Sequence, residues 1–516
     1  MTKRTPTALI FFLLLGACAV NPVTGDRELM LVSGEQDIAT GEQNYVPMQQ
    51  SQGGVYDVDP VLTEYVSSVG MKVARASGVD LPYEFVVLNN SVPNAWALPG
   101  GKIAINRGLL TEMGSEAELA AVLGHEVTHA AARHTAQQQS RGMLTQGVVV
   151  ATTIATSDSG YGDLVAAGAG LAGQLTLTKY GRDAELESDK YGMRYMSKAG
   201  YDPQGAVTLQ ETFVRLSEGR DQDWLSGLFA SHPPSQERVD ANRKRLKKLP
   251  AGGVVGVESY AAAMERTMAT VPAYEAYDKG RKALGEKNTD EALALAEKAL
   301  SMFPEEANFH ALRGDVRLMN KQYDMAVTNY DRAISRRDSF FYYFLQRGIV
   351  NHELDRPDAA VSDLERSLEL LPTAPAHYTL GEIREGQGLR DQAIEHYKIV
   401  AKNAGGDIQK AAYQKLVNLE LSQQPASYIA SACGADSSGQ VVVQARNDTP
   451  VAVTGVQVRF QYVDASGTQR QSTQSISGEL PPDEVKTVRT GLTAYPSTRC
   501  EAVVIQARPA SSPSRP

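Results

Sequence analysis

Cysteine is scarce in this chain: 516 residues carry three. One, Cys18, stands near the N-terminus, so at most one further pair remains, Cys433 with Cys500. A basic stripe is also missing. The formal net charge is −9, and the one Lys/Arg run, Arg243 to Lys248, reads as the solvated end of a helix. That balance argues against a nucleic-acid binder. Long hydrophobic runs are absent too. Gly147–Thr156 and Val165–Leu177 are apolar but short and rich in Gly and Ala, which suits helices near a site better than membrane spans. The rest is ordinary globular composition, 42% hydrophobic and 22% charged, in a chain too long for one core. Three or so domains are expected.

The N-terminus reads as a targeting signal. Lys3 and Arg4 precede a short apolar stretch, Ala8 to Leu15. Leu15-Gly16-Ala17-Cys18 then resembles a bacterial lipobox. Residues 1–17 are expected as a lipoprotein signal peptide, and Cys18 as the acylated first residue of the mature protein. The resemblance to Gram-negative lipoproteins extends to Ala19, which is not the aspartate that retains such proteins in the inner membrane. It implies a lipid anchor on the periplasmic side of the outer membrane. In that oxidising compartment Cys433 and Cys500 are expected to pair.

Three kinds of pattern follow one another. Residues 18–45 read as an N-terminal arm. Phe85–Leu88, Ala95–Leu98 and Lys102–Ile105 are short strand candidates, with Pro99-Gly100-Gly101 as a turn, and helices run on to about Leu249. This makes 46–250 a mixed α+β domain. From 271 to 420 the sequence repeats with a step of 34: Pro304, Asp338 and Pro372; Ala292, Ala326 and Ala360; Gly314 and Gly348. That is the tetratricopeptide period, expected as three to four stacked helix pairs. From 428 to 508 alternating, β-branched segments separated by turn residues read as a small β-sandwich, with Cys433 and Cys500 able to tie its first and last strands.

The chemistry sits on one helix. Ser115-Glu-Ala-Glu118 has the pattern of a capping box. Downstream lies His125-Glu126-Val-Thr-His129, whose i, i+4 spacing puts two imidazoles on one face, within reach of one ion. Glu126 is rotated off that axis, where it can act on a water as catalytic base. A catalytic zinc site takes three protein ligands. The candidate for the third is Glu185, with Asp189 one turn on as the acceptor that orients a ligand histidine. Glu187, between them, is expected at the surface.

Together with Arg133-His134, Glu185-x-x-Ser188-Asp189 and Ser231-His232-Pro233-Pro234 followed by Arg238, these motifs resemble the HtpX/prenyl-protease-type zinc peptidases. The likeness is greatest to the BepA-like periplasmic members that carry tetratricopeptide repeats. It covers about residues 20–420. Ser188 departs from the family's usual alanine, a small change, and the β-region has no counterpart. The resemblance implies a zincin-type domain with one zinc ion per chain. It also implies His232 as a gating ligand, Arg238 near the substrate cleft, and Asn94, Ala95 and Trp96 on an edge strand that pairs with substrate. For His134 a structural role is expected. The implied substrates are unfolded or misassembled envelope proteins, with the outer-membrane assembly machinery a partner of the repeats and no nucleic acid. The competing reading is a repeat-based chaperone or scaffold whose peptidase is rarely used.

Overall fold

The computed structural model describes residues 18–146, 180–219, 232–495 and 500–510. The expected signal peptide, Ser231 and the two Gly/Ala-rich segments lie outside the described residues. The chain divides into two units, Met1–Pro372 and Thr373–Pro516. The division falls inside the repeat region rather than before or after it.

The first unit opens with a hairpin, β1 (Cys18–Val20) against β2 (Arg27–Leu29), where an arm is expected. Helix Gly34–Ser51 follows, so a boundary at residue 45 falls inside it. Its start is written in the sequence: Ser33 and Gln36 form a reciprocal capping box. The helix lies against the Pro99–Gly101 turn because Gly41 has no side chain; a Cβ there would come within 1.9 Å of the Pro99 carbonyl oxygen. Tyr45 and Met48 bury their side chains against Leu88, Trp96 and Leu98.

The three expected strands form one sheet of order β3–β5–β4, with β3 (Glu84–Leu88) parallel and β4 (Ala95–Leu98) antiparallel to β5 (Lys102–Asn106). The outer side of β3 is occupied: Val55 bridges Leu88, and the Tyr56 N–H donates to the Val87 carbonyl at 2.8 Å. Among the described residues β4 is the edge that no strand covers. Helices Pro60–Ser77, Glu116–Ala131, Arg182–Lys198 and Gln204–Gly219 pack with this sheet around one core that includes Leu62, Val69, Ile103, Leu119, Leu123 and Met196.

Helices Val257–Gly285, Thr289–Met302, Ala307–Met319, Tyr323–Arg336, Phe341–Glu353 and Pro357–Leu370 continue the unit as antiparallel pairs. The step of 34 has a steric cause. A Cβ at Gly280, Gly314 or Gly348 would stand 2.8 Å from Leu312, Tyr330 or Leu364 of a neighbouring helix. Ala292, Ala326 and Ala360 are fully buried for the same reason. Lys287, Lys321 and Asp355, again 34 apart, take positive φ where one helix turns into the next.

The second unit holds helices Ala374–Gly386, Arg390–Asn403 and Gly406–Glu420, followed, among the described residues, by six strands. These form two three-stranded sheets, β10–β7–β6 and β11–β8–β9, over a core that includes Val443, Val458, Phe460 and Leu480. The strands are β6 (Ile429–Ala435), β7 (Gln440–Asn447), β8 (Val453–Val463), β9 (Gln469–Ile476), β10 (Val485–Thr493) and β11 (Glu501–Pro509). Cys433 on β6 and Cys500 at the head of β11 are disulfide-bonded, with Cα atoms 5.5 Å apart, and so link the two sheets. Among the described residues no helix is long and apolar enough to cross a membrane.

Candidate metal centre

The motif helix, Glu116–Ala131, begins where its sequence says. Ser115 Oγ accepts the Glu118 N–H at 3.2 Å, while the Glu118 carboxylate takes the Gly114 N–H instead of closing the box. Almost the whole helix is buried. It meets the acidic helix, Arg182–Lys198, backbone to backbone. A Cβ at Gly192 would lie 2.8 Å from the Gly124 carbonyl carbon and 2.9 Å from the His125 nitrogen. Two glycines, one beside each motif, thus bring Glu185 and Asp189 up to His125 and His129.

Ligand atoms of His125, His129, Glu185 and His232 all lie within 4.8 Å of one another, and all four residues are buried. His125 Nε2 and His129 Nε2 are 3.0 Å apart. Glu185 Oε2 stands 3.5 Å from the first, and Oε1 3.4 Å from the second. His232 Nδ1 is 2.9 Å from Glu185 Oε1 and 3.3 Å from His125 Nε2.

The surroundings turn these atoms into ligands. His125 Nδ1 faces Asp189 Oδ1 at 3.0 Å and so carries its proton there, leaving a lone pair on Nε2 aimed inward. Asp189 is held ionised. Burial pulls its pKa up, but the Arg238 guanidinium and His125 together outweigh burial and keep it well below the usual carboxylate range. Arg238 Nε and Nη2 donate to the two Asp189 oxygens at 2.8 Å each, and Nη1 lies 2.9 Å from Glu185 Oε2. On the other side His129 Nδ1 is 2.9 Å from His134 Nδ1, and His134 Nε2 is 3.3 Å from Glu187 Oε1. A proton chain in which His134 donates to Glu187 and His129 donates to His134 again leaves a lone pair pointing inward, on His129 Nε2. Burial holds His129 well below its ordinary pKa, in the neutral form that ligates.

Two imidazole lone pairs facing each other at 3.0 Å repel unless a cation, a metal ion or a proton, lies between them. His125 responds to the same field: burial depresses its pKa, but the carboxylates of Glu185 and Asp189 outweigh it and lift the value to about 9. The centre favours positive charge. Nitrogen donors with one carboxylate suit zinc, whereas calcium and magnesium sites are built from oxygen. The residues present therefore fit the group. Glu126 lies beside them, 2% exposed. Its Oε2 has no hydrogen-bond partner among the described residues, and its Oε1 is 3.6 Å from His232 Nε2. A cavity of about 30 Å³, room enough for water, touches Glu126, His125, His232 and Ala95.

Several placements differ from expectation. Glu187 is not a surface residue: it is half-buried and bonds His134 and, through Asn21 Nδ2 at 3.3 Å, the N-terminal hairpin. Arg238 lines the cavity, yet its guanidinium faces Asp189 and Glu185. Asn94, Ala95 and Trp96 are buried; Trp96 packs edge-on against Tyr45, away from the cavity that Ala95 lines. Tyr180, which no motif marks, stacks on the His129 ring with centroids 3.9 Å apart.

The model of peptidase family M48 matches residues 60–246, and that of the tetratricopeptide repeat matches residues 277–340. Metalloprotease YcaL of Escherichia coli (strain K12) is 32% identical over 190 residues, 34% of this chain and 68% of that protein. The chain belongs to peptidase family M48. Another relative matches over a longer stretch of this chain. The beta-barrel assembly-enhancing protease of Yersinia pestis is 26% identical over 412 residues, covering 74% of this chain and 84% of that protein. For the Escherichia coli (strain K12) protein of the same name the figures are 29% over 244 residues, 45% and 47%, so the chain spans about half its length. This M48 chain is accordingly a metallopeptidase joined to a repeat region, and the zincin-type motif helix stands inside the matched segment.

Proposed function

We propose that the protein is a zinc endopeptidase of the Gram-negative envelope, with one zinc ion per chain held by His125, His129 and Glu185, that degrades misfolded or stalled outer-membrane proteins. The observation that carries this reading is the convergence of four ligand atoms beside an orphaned Glu126 oxygen. A bound zinc ion lowers the pKa of a water toward neutrality and polarises the scissile carbonyl. Glu126 takes the proton from the attacking water and delivers it to the leaving amine. Asp189 with Arg238, and His134 with Glu187, keep the two histidines in the ligating tautomer. β4, the outer strand of the sheet among the described residues, would pair with an extended peptide through main-chain hydrogen bonds, an affinity tolerant of sequence.

His232 Nδ1 lies within reach of the other ligand atoms, where a fourth ligand would displace the nucleophile. Pro233 and Pro234 stiffen its loop, and the Pro233 carbonyl accepts from Arg238 Nη1 at 3.3 Å. His232 acts as the gate, released when a client enters. Lipidation at Cys18, the first residue of the hairpin that touches Glu187, would place this site at the membrane. The names of the relatives point to β-barrel assembly, and the repeats are the surface for clients or assembly partners. The test is direct: purified protein is offered an unfolded outer-membrane barrel protein. Cleavage by the wild type and none by Glu126→Gln supports the reading. Binding without cleavage by both makes the protein a chaperone.

A further inference from the structure

Residues 89–94 link β3 to the edge strand β4, and they are held from two sides. From the sheet side, Asn106 Nδ2 donates to the Val92 carbonyl at 2.9 Å, and the Asn106 N–H to Asn94 at 2.8 Å. Arg107 Nη2 donates to Ser91 Oγ at 2.7 Å, and its Nε to Asn89 Oδ1 at 3.4 Å. Gly108 is pressed so close that a Cβ would lie 1.9 Å from the Ser91 oxygen. From the repeat side, Glu306 at the N-cap of helix Ala307–Met319 accepts from Asn89 Nδ2 with both carboxylate oxygens, each at 3.2 Å. Tyr274 donates its hydroxyl to the same carboxylate, and its ring lies under the Arg107 guanidinium, 3.4 Å from ring centre to Cζ. A third repeat residue, Arg337, donates to the carbonyls of Val55 at 3.0 Å and Gly53 at 3.3 Å, the strip that covers β3. Asn89, Asn106, Arg107, Tyr274, Glu306 and Arg337 are all buried.

We propose that Tyr274 and Glu306 are positioning residues for peptide cleavage: through Asn89 and Arg107 the repeats set the place of the loop that carries β4, and hence of the edge on which a substrate strand pairs. The repeats then serve catalysis as well as client capture. Neither residue touches the metal ligands, so they govern substrate binding and leave the chemistry alone. The inference rests on the edge-strand reading above.

The experiment uses the full-length protein, unfolded casein as substrate, and three variants: Glu306→Ala, the conservative Glu306→Gln, and Tyr274→Phe. Zinc content should stay at the wild-type level throughout. For Glu306→Ala, KM should rise roughly tenfold, the value of one lost charge-assisted pair, with kcat nearly unchanged. Glu306→Gln should restore most of the wild-type KM. Hydrogen exchange at the amides of residues 89–98 should speed up in parallel. If Glu306→Ala does not melt cooperatively, Tyr274→Phe, which removes one hydroxyl, decides by the same KM and exchange readouts. Wild-type KM together with unchanged exchange at 89–98 would overturn the proposal. A wild-type protein with no Glu126-dependent cleavage would instead sink the peptidase reading on which it stands.

Discussion

Gly192→Ala tests the geometry more sharply than removal of any ligand. The new Cβ would stand 2.8 Å from the Gly124 carbonyl carbon, about 0.6 Å short of the 3.4 Å at which ordinary contact begins. Its neighbours are backbone atoms inside a buried helix, which cannot swing away as a side chain would. The helices must therefore part by about that distance, whereas metal–ligand distances tolerate about 0.2 Å. Overpacking of this kind costs about 1–3 kcal/mol, offset by about 1 kcal/mol of helix propensity gained on replacing glycine. The fold should survive with a lowered Tm, and zinc affinity should fall at least about tenfold, the size seen when a ligand's support is displaced. Competition against a fluorescent chelator measures the affinity, and calorimetry the melting. Unchanged zinc affinity and unchanged Tm would refute the reasoning that the glycine pair sets the distance between the two motifs.

Other outcomes follow from single contacts. Arg238→Ala leaves the buried Asp189 carboxylate with His125 as its remaining partner, so the protein should lose about 3–5 kcal/mol in denaturant unfolding; a loss under 1 kcal/mol would mean that His125 alone suffices for Asp189. His232→Ala should keep its zinc and cleave unfolded clients, or itself, faster than the wild type; slower cleavage would move His232 from gate to substrate cleft. Thiol labelling of unreduced, denatured protein should find neither Cys433 nor Cys500 free, and Cys433→Ser should lower Tm, since a bond closing a loop of this length is worth about 2–4 kcal/mol.

How much of this was legible in the sequence depended on whether the signal was local. His125, His129, Glu185 and Asp189 could be placed because i, i+4 spacing on a helix is a local geometry. The repeat helices were visible because Gly314, Gly348 and their companions recur where helices touch. Glu187 was misread by the same logic. Two positions on from Glu185, it points away from that residue's face, but His134 approaches it from another helix, 53 residues away in sequence. The support given by Arg238 to Asp189 likewise joins residues 49 apart. Strand β9, with Gln471, Ser472, Thr473, Gln474 and Ser475 in succession, shows little apolar alternation because most of it faces solvent. Residues 18–51 lack a long apolar run, and only the Ser33/Gln36 box marked the helix there. Gly124 and Gly192 were in plain view, one before the HExxH motif and one three residues after Asp189, but only the packing shows what they are for.

The most direct measurement is metal analysis paired with a cleavage assay on three purified proteins: wild type, Glu126→Gln and Glu185→Ala. If His125, His129 and Glu185 hold the ion and Glu126 works on the water, wild type should carry about one zinc per chain and cleave. Glu126→Gln should carry the same zinc and not cleave, and Glu185→Ala should lose most of both. Full zinc in Glu185→Ala, or cleavage that survives Glu126→Gln, would contradict this site.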